Sequence, residues 1–89
     1  MTFSQEQFDK ISATAKSYGV TRLFLFGSAL DNLETARDID LACDGVAGWK
    51  LYELAARLEE DVNVPLDLVP LTPSNRFTQM IERRGRRLI

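Results

Sequence analysis

The stretch LFGSALDNLETARDIDLAC, residues 25 to 43, sets Gly27-Ser28 nine residues ahead of Asp38-Ile39-Asp40, and a further aspartate, Asp67, stands in PLDLV. Carboxylates that share one surface are costly unless positive charge compensates them. Hard divalent cations are the natural compensation, because Mg²⁺ takes oxygen ligands at about 2.0 to 2.1 Å and completes its shell with waters and substrate phosphates. Gly27 has no side chain to obstruct a phosphate, and the backbone N–H groups of a turn that opens a helix point toward an anion there. The Ser28 hydroxyl can donate one more hydrogen bond. Asp38, Asp40 and Asp67 as cation ligands beside Gly27 and Ser28 as a phosphate cradle describe a nucleoside triphosphate site.

The composition narrows what else this chain can do. Its 89 residues, 45% hydrophobic, suit one small domain over 1–89. There is no histidine, which removes imidazole catalysis, the Ser-His-Asp triad and the usual zinc sets. The lone cysteine, Cys43, lies in an apolar strand pattern and reads as a buried free thiol, in keeping with a reducing cytoplasm. No apolar stretch approaches the roughly 20 residues of a membrane span, and MTFSQEQF lacks the regions of a signal peptide. A formal net charge of −2 argues against nucleic acid as the ligand, although the chain ends in the basic run RRGRR, Arg83 to Arg87. That run reads as a solvated tail.

The elements that must position the site follow from periodicity. Ser4 with Gln7 makes a capping-box pattern, and Phe8, Ile11 and Ala15 continue at helical spacing, which predicts a helix over about 4 to 18. VTRLFLF, 20 to 26, reads as a largely buried strand that delivers the chain to Gly27-Ser28. Residues 28 to 36 read as a short helical turn and then a loop. In DIDLAC the side chains of Asp38, Asp40 and Ala42 share one face and those of Ile39, Leu41 and Cys43 the other. A helix over about 47 to 61 carries the apolar stripe Leu51, Leu54, Ala55 and Leu58. A third strand spans 64 to 71, with Asp67 facing away from Leu66 and Leu68. Thr72 as cap and Pro73 in the first turn predict a last helix to about Glu82. Trp49 and Tyr52 read as core or partner packing, and Asp31, Glu34 and Asp44 as solvated loop or turn residues. The fold class is α/β (α+β), a small mixed sheet of about three strands packed against helices.

In order and spacing, Gly27-Ser28, the spacer ALDNLETAR, Asp38-Ile39-Asp40 and Asp67 resemble the minimal nucleotidyltransferase (MNT) family of the DNA polymerase β-like superfamily. The resemblance covers nearly the whole chain and implies a polymerase β palm-like nucleotidyltransferase fold. It also implies a Mg²⁺-dependent enzyme, with two ions held by Asp38, Asp40 and Asp67, that moves AMP from ATP to a hydroxyl. Small members of the family are antitoxins paired with a helical HEPN-type toxin, so the resemblance names such a protein as partner and acceptor. The family's Ala-Arg-Gly stretch and its Ser before the first Asp are replaced by Leu30-Asp31-Asn32 and Arg37. The alternative reading is therefore a catalytically silent binding module of the same fold that acts as an antitoxin subunit by complex formation. An edge strand on so small a sheet also suits a homo- or hetero-oligomer.

Overall fold

In the computed structural model, which describes residues 4–31 and 37–89, the capping box closes as the spacing predicts. The Ser4 hydroxyl accepts from the Gln7 amide, and the Gln7 side chain accepts from the Ser4 amide, at the start of α1 (Gln5–Ser17). Then come β1 (Arg22–Phe26), the single turn α2 (Ser28–Asp31), β2 (Ile39–Asp44), α3 (Trp49–Val62), β3 (Leu66–Pro70), α4 (Arg76–Arg84) and β4 (Arg86–Arg87). Of the turn and loop expected within 28 to 36, residues 32–36, with Glu34, lie outside the described residues, as does the environment of the Asp31 side chain.

The sheet runs β3-β2-β1-β4 and is mixed: β1 lies antiparallel to β2 and β4, and β2 lies parallel to β3. A parallel pair needs a crossover. Here α3 supplies it, and its stripe of Leu54, Leu58 and Val62 is buried together with Phe8, Ile11 and Ala15 of α1. Both helices cover the face formed by Leu23, Leu25, Ile39, Leu41, Cys43 and Leu66. Each fully buried leucine or isoleucine of this layer contributes about 1.5 to 3 kcal/mol. Burial, with Asp44 as a lesser cause, pushes the Cys43 thiol up to about 11, so it stays a neutral packing group.

The opposite face is only partly covered. Phe24 and Ala42 pack there with Leu71 and with Ile81 of α4, while Phe26 and Val69 lie at the margin. Asp40 shares this face, clear of the apolar layer beneath. No helix among the described residues is long and apolar enough to cross a membrane.

Four expectations are corrected. The basic run is not a tail: α4 continues through Arg84, and Arg86 and Arg87 add a fourth strand to the expected three by pairing with Leu25 and Phe24. Their guanidinium groups lie 5.3 Å and 5.9 Å from the ring centroids of Phe8 and Phe24, a cation–π use that a run of charges does not reveal. The last helix starts later than Pro73 suggests, because Asn75 is its cap, reciprocally bonded with Thr78, and the Thr72 hydroxyl donates to Asp44 instead. Of the two readings of Trp49 and Tyr52, core packing is ruled out by their 69% and 78% exposure, because they project from the side of α3 away from its apolar stripe, and partner packing is the reading that stands. Asp44 is not simply solvated.

Asp44 accepts from Arg22 at 3.2 and 2.6 Å and from Thr72 at 2.7 Å, and Arg22 also reaches Glu82 of α4 at 3.2 Å. The Arg22 bonds first, and the Thr72 bond second, hold the Asp44 carboxyl below the usual range. Its contribution to stability is complete above the ordinary carboxylate pKa near ~4 and is lost as pH falls through the lower folded value. Asp44→Asn is accordingly expected to lower the melting temperature at neutral pH. In melting curves taken at successively lower pH, the gap to the parent protein should close in the acid range; a constant gap would refute the ionic account.

Candidate nucleotide site

Gly27 follows the last residue of β1 with φ +79°. This left-handed conformation is one that glycine adopts without strain. It turns the chain directly into α2, whose first residue, Ser28, is exposed. A Cβ on Gly27 would collide with the Oδ2 atom of Asp40, with the Cγ atom 3.2 Å away. The bare glycine backbone and the Asp40 carboxylate are thus in direct apposition.

Asp40 is held by the sheet register. It lies opposite Phe26 on the antiparallel side and opposite Asp67 on the parallel side. Residues directly opposite in a ladder project to the same face, and adjacent strands are about 4.8 Å apart. Asp38 precedes β2 by one residue and is exposed, as is Asp67, whereas Asp40 is half-buried. The two-residue alternation read from DIDLAC holds: Ile39, Leu41 and Cys43 enter the helix-covered core and Ala42 the opposite cluster.

The Asp40 carboxylate feels the other two. Asp40 has its pKa raised, first by burial and then by repulsion from Asp38 and Asp67. Among the described residues, no basic side chain contributes to that shift. An acidic, oxygen-only donor set with uncompensated repulsion at its centre fits a hard cation such as Mg²⁺. Among the described residues no three acidic or cysteine side chains form a ready metal cage. Mg²⁺ commonly binds through one or two carboxylates plus substrate phosphates, so the donor set fits an ion that arrives with a nucleotide.

All five residues singled out from the sequence, Gly27, Ser28, Asp38, Asp40 and Asp67, therefore fall at one edge of the sheet, where β1 ends and β2 and β3 begin. The sequence reading missed Phe26 and Phe77. Phe26 looked like one more apolar residue of a buried strand, yet the register sets it beside Asp40. Phe77 comes from α4 and meets Phe26 edge to face, with centroids 5.6 Å apart and planes at 83°. A phenylalanine set among the polar residues Asn75, Arg76, Thr78 and Gln79 is the signal that could have singled out Phe77.

No family model and no curated protein matches the chain. Solved structures do. A complex of a tri-AMPylated HEPN toxin with its MNT antitoxin from Shewanella oneidensis matches with a TM-score of 0.76 at 24% identity, over 96% of this chain and 71% of that chain. The chain has the MNT nucleotidyltransferase fold. A toxin-antitoxin structure with AMP-PNP matches with a TM-score of 0.78 at 22% identity, over 92% of this chain and 72% of that chain. The MntA-HepT toxin-antitoxin complex matches with a TM-score of 0.75 at 22% identity, over 97% of this chain and 72% of that chain. At these identities the likeness establishes the MNT fold.

Proposed function

We propose that this chain is an MNT-type antitoxin that transfers AMP from ATP to a hydroxyl of a HEPN-type helical partner. The observation that carries the reading is the apposition of Gly27 to Asp40, with Asp38 and Asp67 close enough to repel it. Support comes from MNT-fold structures described as holding AMP-PNP and as paired with an AMPylated HEPN toxin.

Asp38, Asp40 and Asp67 would hold Mg²⁺. When bound, the ions neutralise the triphosphate, lower the pKa of the acceptor hydroxyl and stabilise the attacking and leaving oxygens. The backbone at Gly27-Ser28 binds the distal phosphates, and the Ser28 hydroxyl donates to a phosphate oxygen. Asp67, the most lateral of the three carboxylates, takes the proton of the acceptor hydroxyl. That oxygen attacks the α-phosphorus in line, a new P–O bond forms, and the bond to the bridging oxygen of the β-phosphate breaks. Pyrophosphate leaves with the bonding electron pair.

A second reading is a silent binding module. It is favoured by Leu30-Asp31-Asn32, which stands where the family has a basic residue near the triphosphate. The test is to incubate the chain with a HEPN-type toxin, Mg²⁺ and α-labelled ATP. Label on the toxin that depends on Mg²⁺ supports transfer. Neutralisation of the toxin without label, and equally by Asp40→Asn, supports the binding module.

A further inference from the structure

The open face of the sheet carries a row of side chains that runs across the strands. Asp67 of β3 is opposite Asp40 of β2, Asp40 is opposite Phe26 of β1, and Phe26 meets Phe77 of α4. Carboxylates occupy one end of this row and aromatic rings the other. Two strand spacings, about 10 Å, separate Phe26 from Asp67. That span is of the order needed to lay out a phosphate, a ribose and a base.

Phe77 is 47% exposed, and Met80, one turn further along α4, is 42% exposed. The packing of α4 does not account for either, since Thr78 and Ile81 are the residues it buries. Phe26 braces Phe77 edge to face, an arrangement that fixes a ring without enclosing it. The other exposed aromatics among the described residues, Trp49 and Tyr52, stand at the start of α3. That helix begins after β2 has run away from Asp38 and Asp40, so both lie toward the opposite end of the sheet and on the helix-covered side.

We propose that Phe77, braced by Phe26, is the platform on which the base of the bound nucleotide stacks. The inference rests on the triphosphate reading of Gly27, Asp38, Asp40 and Asp67 and adds to it the recognition of the nucleoside. Every base has a π-face, and stacking on an aromatic side chain is tolerant of base identity. Phe77 has no hydrogen-bonding group in its side chain, so this platform reads ring area: it favours purine over pyrimidine nucleotides and does not by itself separate ATP from GTP.

Calorimetric titration in Mg²⁺ with two probes, ATP and inorganic tripolyphosphate, tests the assignment. Phe77→Ala is expected to weaken ATP binding about tenfold or more and to leave tripolyphosphate binding unchanged. Phe77→Trp should retain ATP affinity. Phe77→Leu keeps an apolar side chain against Phe26 but has no ring face, so it should behave as Phe77→Ala even if the alanine variant folds poorly. Unchanged ATP affinity in the Ala and Leu variants overturns the platform, and so does an equal loss for both probes. Either result leaves the phosphate site standing. If the parent protein binds neither probe, the triphosphate reading itself fails and the platform with it.

Discussion

Asp40→Asn is expected to weaken Mg²⁺-dependent nucleotide binding at least about a hundredfold and to abolish transfer, while raising the melting temperature of the metal-free protein. Loss of function follows from the place of Asp40 at the centre of the donor set, in register with Asp67 and against Gly27. Replacing groups that merely orient metal ligands costs 10- to 100-fold in affinity or activity. Removal of Asp40, proposed as a direct ligand, should cost at least about a hundredfold. The gain in stability has a separate origin. Burial, then repulsion from Asp38 and Asp67, disfavours the charged carboxyl in the folded protein. A raised folded pKa means that this penalty is fully present above the folded value and disappears as pH falls through the unfolded value near ~4. The amide should therefore stabilise the protein most at neutral pH and give no advantage in acid. Melting curves with and without Mg²⁺, beside calorimetry with ATP, check both halves. A variant that binds MgATP like the parent would remove Asp40 from the site. A variant that melts lower in the absence of metal would show that the aspartate serves the fold.

The opposed effects expected on stability and function bear on how the candidate site can be read from the sequence. Aspartates in an apolar strand violate the pattern that a core strand would follow, and Asp38 and Asp40 violate it in phase, on the face where Ala42 is the next residue. Period two is a strong local constraint, so the shared face could be inferred without knowing the neighbours. The parallel placement of Asp67 beside Asp40 needed the crossover, which the pattern of strand, helix and strand from Asp38 to Leu71 supplied. What could not be read depends on pairings with no local period. Two residues, Arg86 and Arg87, are too few to show strand alternation, and their role became visible only with the free edge of β1 and the rings of Phe8 and Phe24. The start of α4 was misplaced because Thr-Pro is a common opening for a helix. The Thr72 hydroxyl is instead committed to Asp44, 28 residues earlier in the chain. Phe77 was overlooked for a related reason: its meaning comes from Phe26 and, through Phe26, from Asp40.

Gly27→Ala is expected to separate stability from binding in a different way. Alanine at φ +79° costs about 1 to 2 kcal/mol, which denaturant unfolding will read directly. The collision of the new methyl group with Asp40 should add little to that cost, because the clashing atoms belong to a side chain that can turn away. Turning away moves the carboxylate, however, and the donor set with it. MgATP affinity should therefore fall by well over the factor of about 5 to 30 that 1 to 2 kcal/mol represents in an equilibrium constant. Asp40→Ala in the Gly27→Ala background provides the control. With the carboxylate gone there is nothing to displace, so the double variant should bind no worse than Asp40→Ala alone while still carrying the backbone penalty. Non-additive binding together with additive stability would place the methyl group and the carboxylate in one contact. Additive losses in both measurements would mean that Gly27 acts through the turn alone, and that its closeness to Asp40 has no part in holding the nucleotide.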